Sequence, residues 1–356
     1  MIGSLGRAGV VAATVATALA GLSGIARAQS VPSDLRVVAS SGLELTDVRQ
    51  YVGKTTVPTS PAADCFGPGN KGSGNKVPQV GPDALSVLVE ASAAKDRLRP
   101  VLVTDAFLDD GFGLGLCSVG GFTAPPTGFW YLKINHKNPN LGGSLVTVGP
   151  DTETLWYLTP NFPPPPELSL SAPVRALPGV PVGVQVLSYA DDGAASAATG
   201  AVVLGGAAPA PVDTTGAATV IFPTPGTYLL SATHGSDIPS QSLSVCVADP
   251  VTSCPETRGR EIYGTDAPDN VVGTLGPDQI GPRAGNDNIK GRAGDDVIVS
   301  RGGGRDKIKC GGGEDFVHAD KSDRPGKSCE MVKGGKRSTG AKHKKKGGKK
   351  KGGKRK

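Results

Sequence analysis

The sequence has few aromatic residues, two methionines and four scattered histidines. Aromatics are 4% of 356 residues. That is too few for a conventional core along the whole chain, because large rings supply much of the buried area in compact domains. His136, His234, His318 and His343 lie far apart and no Cys-x-x-Cys occurs, so the usual spacing of a zinc site is missing. Gly-x-Ser-x-Gly, His-Glu-x-x-His and phosphate-loop motifs are also missing. A catalytic group would have to be assembled from distant residues. Beyond residue 28 no apolar run approaches the ~20 residues of a membrane-spanning helix.

What the chain has in abundance is glycine and proline, 52 and 30 residues. Both disfavour helix interiors, by about 1 and 3 kcal/mol. The expectation is a multidomain, mainly β protein of short strands, turns and linkers, with two or three domains at ~100–200 residues each. The net charge of +6 hides a segregation. From residue 333 onward there are 13 Lys and Arg and no acid, and residues 1–28 add Arg7 and Arg27. Residues 29–332 therefore carry −9, so an acidic body adjoins a basic tail.

Residues 1–28 have the form of a secretory signal: Arg7, then an apolar Val10 to Leu22, then Ala26-Arg27-Ala28 as a cleavage site. A secreted, extracellular or cell-surface-associated protein is expected. In an oxidising compartment the six cysteines read as disulfides. Position in the chain favours one local pair per module: Cys65 with Cys117, Cys246 with Cys254, and Cys310 with Cys329.

The run Pro160-Asn161-Phe162-Pro163-Pro164-Pro165-Pro166 marks a linker at 160–166, expected to act as a semi-rigid polyproline spacer. Before it, residues 29–159 hold ten of the 16 aromatics. Strands are expected at 34–39, 128–135 and 154–158, and Pro82 is placed just inside the start of a helix bearing Leu85, Leu88 and Val89. Trp130, Tyr131, Trp156 and Tyr157 are assigned to the core. Gly81-Pro82-Asp83-Ala84-Leu85, Cys117 with Gly120-Gly121, Phe129-Trp130-Tyr131 and Thr154-Leu155-Trp156-Tyr157 resemble a bacterial secreted domain of unknown function. That domain is similar to the C-terminal β-grasp-like domain of transcobalamin and intrinsic factor. The resemblance implies a small α+β fold and a small-ligand site, cobalamin being the ligand of those carriers. In the carriers a separate helical barrel completes the site, and this sequence shows none.

Residues 167–250 alternate in several short runs, notably 182–189, 216–222 and 226–232, the last two split by Pro223-Thr224-Pro225. This predicts a β-sandwich. The stretch Pro225 to Thr233 resembles bacterial immunoglobulin-like surface domains, which implies a spacer or adhesion unit.

Residues 251–332 carry the strongest pattern. Between 264 and 318 Asp recurs at 269, 278, 287, 296, 306 and 315, and an aliphatic residue follows two later at 271, 280, 289, 298, 308 and 317. One extra residue, Ser300, interrupts the nine-residue step. The pattern resembles the glycine-rich nonapeptide of repeats-in-toxin proteins, which implies a parallel β-roll. In that family calcium is held between stacked turns. The implied metal ligands are Asp269, Asp278, Asp287, Asp296, Asp306 and Asp315, a hard oxygen set that suits Ca²⁺. Arg283, Lys290, Arg292, Arg301, Arg305, Lys307 and Lys309 lie among these acids, so Arg–Asp pairs in place of calcium are the competing expectation. Ser300 is expected to displace the later sites. Residues 319–332 read as a terminal cap held by the Cys310–Cys329 bridge.

The tail, 333–356, has no apolar residue larger than Ala and is expected to be disordered. Its expected partner is an anionic cell-surface polymer; export makes nucleic acid a poor one. The reading that results is an exported, non-enzymatic, modular surface or matrix protein that binds calcium through its repeats. The alternatives are a small-ligand protein acting through residues 29–159 and an extracellular enzyme.

Overall fold

The computed structural model describes residues 30–335 apart from 41, 126, 127 and 161. The expected signal at 1–28 lies outside the described residues, as does the expected tail beyond residue 335; its first residue, Lys333, instead ends a strand paired with His318. The described chain is mainly β, with one α-helix and several sheets. Strands used in the argument are numbered in chain order.

The first region is built on β1 (Val31–Val38), β2 (Glu44–Val52), β3 (Phe129–Ile134) and β4 (Thr152–Thr159). They lie in the order β2-β1-β4-β3, with β1 and β4 parallel and both outer pairs antiparallel. Helix α1 (Ala84–Ala94) crosses one face and buries Ala84, Leu85, Val87, Leu88 and Ala91. Asp83 caps it by accepting the Ser86 N–H at 2.8 Å. Pro82 therefore precedes the cap rather than opening the first turn, because Asp83 still has extended backbone (φ −134°). Trp130, Tyr131, Trp156 and Tyr157 are buried. The two indole N–H groups donate to the Phe122 and Ala84 carbonyls. Gly143 fits against Trp156, where a Cβ would lie 2.5 Å from the ring. The excursion between β2 and β3 is tied by the Cys65–Cys117 bridge.

The second region packs two sheets around Leu168, Leu170, Val184, Val186, Phe222, Leu230 and Val245. β5 (Glu167–Ser171) and β7 (Ala217–Val220) flank β6 (Val182–Tyr189) in one sheet. β8 (Gly226–Thr233) pairs with β9 (Leu243–Val247) in the other. Pro223-Thr224-Pro225 is thus the corner where the chain changes sheets, and the Tyr228 hydroxyl fixes it by donating to the Thr224 carbonyl at 2.9 Å. Cys246 and Cys254 are bridged just after it.

The proline run does not hold the first two regions apart. Ile238 packs on Val38, Leu155 and Tyr157. Arg36 reaches across to Glu167 at 2.7 Å.

The third region is a two-sheet coil. β10 (Glu261–Tyr263), β12 (Gln279–Gly281), β14 (Val297–Ser300), β16 (Phe316–Ala319) and β18 (Met331–Lys333) stack in parallel on one side. β11 (Asn270–Val272), β13 (Asn288–Ala293), β15 (Lys307–Gly312) and β17 (Arg324–Pro325) stack on the other. Between them lies a single file of Ile262, Val271, Ile280, Ile289, Ile298, Ile308 and Val317. The turns approach closely: a Cβ at Gly304 would fall 1.5 Å from the Gly285 carbonyl oxygen. Cys310 and Cys329 are bridged at the far end.

At its near end the coil is not free. β10 pairs in parallel with β2, matching Ile262 to Arg49 and Tyr263 to Gln50. One nine-stranded sheet therefore runs from the last coil through the first region. Tyr51 enters the coil's core, and its hydroxyl accepts the Val272 N–H at 3.0 Å. Gln50 donates to the Gly264 carbonyl, and Arg283 pairs with Glu90 at 2.6 Å. The first region thus closes the exposed strand edge that a stack of coils would otherwise present.

Candidate cation sites in the aspartate ladder

All six repeat aspartates are buried at the turns of the coil. Two columns form, as the period requires. Asp269, Asp287 and Asp306 stand on one side and Asp278, Asp296 and Asp315 on the other. In each column one carboxylate oxygen accepts the backbone N–H of the aspartate one coil earlier. Asp287 Oδ1 takes the N–H of Asp269, and Asp306 Oδ1 that of Asp287, each at 2.9 Å. Asp296 takes that of Asp278 at 2.9 Å, and Asp315 that of Asp296 at 3.0 Å. This ladder ties neighbouring coils through charge-assisted hydrogen bonds, stronger than neutral ones.

The ladder runs further than the nine-residue pattern. Asp323 accepts from the Asp306 N–H at 3.1 Å, and Glu330 from the Asp315 N–H at 3.0 Å. Sequence reasoning left out both because the last coil is shorter. The surviving signal is Asp323 with Pro325, a buried residue two positions on.

Ser300 does not displace the ladder. The register continues across it, with Val297 opposite Phe316 and Ser300 opposite Ala319. Its hydroxyl approaches Asp306 Oδ2 at 2.5 Å and Asp323 Oδ2 at 2.9 Å. The extra residue is taken up at the end of β14, where it supplies a donor.

The second carboxylate oxygen separates the coils into two kinds. Where the second residue of the repeat is Thr, it is satisfied. Thr265 N–H donates to Asp269 Oδ2 and Thr274 N–H to Asp278 Oδ2, each at 2.6 Å, and both hydroxyls add further bonds. Where that residue is Arg283, Arg292 or Gly311, its backbone is left-handed (φ +71°, +87° and +129°). The corresponding oxygens, Oδ2 of Asp287, Asp296 and Asp315, are buried with no hydrogen-bond partner. These three residues are at most 1% exposed. Burial, reinforced by the neighbouring ladder carboxylates, pushes Asp287 and Asp296 up to about 7, and burial also raises Asp315.

Arg–Asp pairing does not relieve them. Arg283 pairs with Glu90 and Asp266. Lys290, Arg292, Lys307 and Lys309 are exposed on the outer face of their sheet, because side chains alternate along a strand and the aliphatic positions take the inner face.

The arrangement offers hard oxygens and little else. The place a Cβ would take at Gly291 lies 2.2 Å from Asp296 Oδ2 and 2.4 Å from the Cys310 carbonyl oxygen. A carboxylate and a carbonyl of the next coil therefore face one another across a position that only glycine leaves open.

Two other features bear on function. Among the described residues His136, Glu153 and Glu167 are the one group of three that could converge on a metal ion. Residue spacing gave no hint of it, since the three lie on both sides of the proline run. His136 Nδ1 lies 3.2 Å from Glu167 Oε2 and its Nε2 3.5 Å from Glu153 Oε2. His136 stacks on Tyr189 with ring centroids 3.9 Å apart. Arg36 and Lys133, both buried, already bring two positive charges to this group. It is a neutralised ion cluster at the contact of the first two regions, and a divalent ion there would meet those charges. Second, an apolar cleft of about 550 Å³ opens on the first region between Phe66, Phe107, Phe112, Phe129 and Leu141.

The cysteine pairs expected from position are the three bridges present. No helix among the described residues is long and apolar enough to cross a membrane. Comparison with protein-family models, curated proteins and solved structures finds no match, so the functional reading rests on this chain's own residues.

Proposed function

We propose that this is an exported, non-enzymatic, modular surface or matrix protein whose repeat region is a calcium-binding parallel β-roll. In this reading the first region is β-grasp-like and the second an immunoglobulin-like sandwich. The observation that carries it is the set of three buried, unpartnered carboxylate oxygens on Asp287, Asp296 and Asp315. An isolated carboxylate in such a place is costly unless a cation or a proton meets it. Ca²⁺ takes 6–8 oxygen ligands, carboxylate and carbonyl alike. Asp287, Asp296 and Asp315 would hold the ion together with turn carbonyls, and when bound it would supply positive charge between coils. Asp269, Asp278 and Asp306, their oxygens already hydrogen-bonded, act as structural rungs. The three disulfides are compatible with an extracellular location.

Calorimetry with calcium chloride on the full chain tests the reading. The full chain is required because β10 is seated on β2. Binding in the micromolar to millimolar range, weakened in the double variant Asp287→Asn plus Asp296→Asn, which leaves only Asp315 open, is expected. Absence of binding, or binding unchanged in that double variant, overturns it.

A second reading, a small-ligand protein, rests on the aromatic cleft of the first region. Cobalamin absorbance on adding the full chain tests that ligand; an unchanged spectrum at high protein concentration removes it.

A further inference from the structure

The two outer faces of the coil differ in chemistry. On the sheet that continues into the first region, the outward row Val297, Phe316 and Met331 is apolar. On the opposite sheet, strands β11, β13, β15 and β17 present Asn270, Val272, Asn288, Lys290, Arg292, Lys307, Lys309 and Arg324 outward, with no acid among them. Lys290 stands opposite Lys309, and Lys307 opposite Arg324. Neighbours across strands are therefore ~4.8 Å apart at the backbone, and neighbours along a strand ~6.6 Å. None of the five cations forms an ion pair with another described residue.

Like charges at this spacing repel. A sheet face has many ways to avoid this, and alternating signs is the usual one. Here five positions carry one sign, while the ladder aspartates of the same coils are buried in the turns. The strands of the face pair in parallel and in register. The face carries no aromatic ring on which a base could stack, as single-stranded nucleic acids require. Its one outward apolar side chain, Val272, is a single valine, short of the apolar stripe that interfacial membrane binding requires. The face does carry amides: Asn288 Nδ2 reaches Asn270 Oδ1 at 3.2 Å, leaving further donor and acceptor capacity toward solvent. Cations in rows beside amides suit an extended polymer that bears both anionic groups and hydroxyls.

We propose that this face, Lys290, Arg292, Lys307, Lys309 and Arg324 with Asn270 and Asn288, binds a linear acidic polysaccharide laid across the coils. The proposal does not depend on calcium in the turns.

The test measures oligogalacturonate binding to the full chain, with and without calcium chloride at fixed ionic strength. Two triple variants are compared: Lys290→Gln/Lys307→Gln/Lys309→Gln on the face, and Lys344→Gln/Lys345→Gln/Lys346→Gln in the tail. The face variant is expected to lose about tenfold or more in affinity and to flatten the slope of log K against log salt by about 2. The tail variant is expected to lose much less, with Lys309→Arg retaining binding. Unchanged thermal unfolding checks that the exposed substitutions leave the fold intact. Equal losses in the two variants, or no binding, overturn the proposal. So does tighter, face-dependent binding of single-stranded DNA or of phosphatidylglycerol vesicles. Loss of calcium binding with oligogalacturonate binding retained would defeat the calcium reading and leave this one standing.

Discussion

The repeats with Thr in second place and those with Arg283, Arg292 or Gly311 there share one aspartate and one backbone ladder, yet differ in a single oxygen. In the first kind, Asp269 and Asp278 have donors on both oxygens. In the second, Asp287, Asp296 and Asp315 have donors on one. The same residue at the same register is thus a finished rung in one coil and an open anionic end in another. The deciding residue is four positions earlier: Thr265 and Thr274, outside the left-handed region, donate their N–H to the carboxylate, and the left-handed Arg283, Arg292 and Gly311 do not. Glu167 shows a third outcome. Burial works against its charge, but His136 and Arg36 outweigh it and hold its pKa below the ordinary carboxylate range.

The largest expected effect breaks this comparison directly. Asp278→Asn sets an amide NH₂ against the Thr274 N–H and should cost roughly 2–3 kcal/mol in denaturant unfolding. Asp296→Asn places the same group where no donor faces it and should change calcium-free stability by about 0.5 kcal/mol or less. Equal destabilisation by the two would show that the coils are of one kind. Ser300→Ala comes next: stripping the hydroxyl should cost about 1–2 kcal/mol and leave Asp306 Oδ2 open, while Asp323 Oδ2 keeps the Asp320 N–H. A calcium titration of the wild type followed by chelation should then give about 1.4 kcal/mol per site at ten times the dissociation constant. Thermal unfolding reads this, and no change on chelation counts against the open coils as cation sites.

The smallest effect belongs to the ion cluster. His136 is raised above its ordinary value: burial opposes the charge, but Glu167 and Glu153 favour it more than Arg36 disfavours it. The ring of Tyr189 also faces it, and Lys133 donates to the Tyr189 carbonyl. A raised histidine lends stability that is fully present below the unfolded value near 6.5 and is lost as pH rises through the folded value. The wild type should therefore lose a small increment of thermal stability above neutrality that His136→Gln does not lose. Parallel pH profiles for the two would remove His136 from the contact.

Much of this could be read locally. The recurrence of Asp with an aliphatic residue two positions on set the coil period, the inward file and the two columns. It did so because each coil repeats the same short-range turn and alternation. Thr265 and Thr274 against Arg283, Arg292 and Gly311 were also visible in the sequence, although their meaning needed the direction of one N–H. The cysteine pairs followed from proximity along the chain. The expected spacer at 160–166 was less well read, since no local pattern encodes that Arg36 and Glu167 meet beside it.

By itself, then, the sequence determined the strand-rich character, the repeat register and the three bridges, all consequences of short-range sterics and periodicity. Only the tertiary structure decided that the first region serves as the coil's starting edge. Ile262 meets Arg49 across more than 200 residues, and a hydrogen-bonded edge accepts almost any strand of suitable length. It also decided that the lysines leave the aspartates for the outer face: one buried aliphatic file fixes the orientation of every other side chain on its strand.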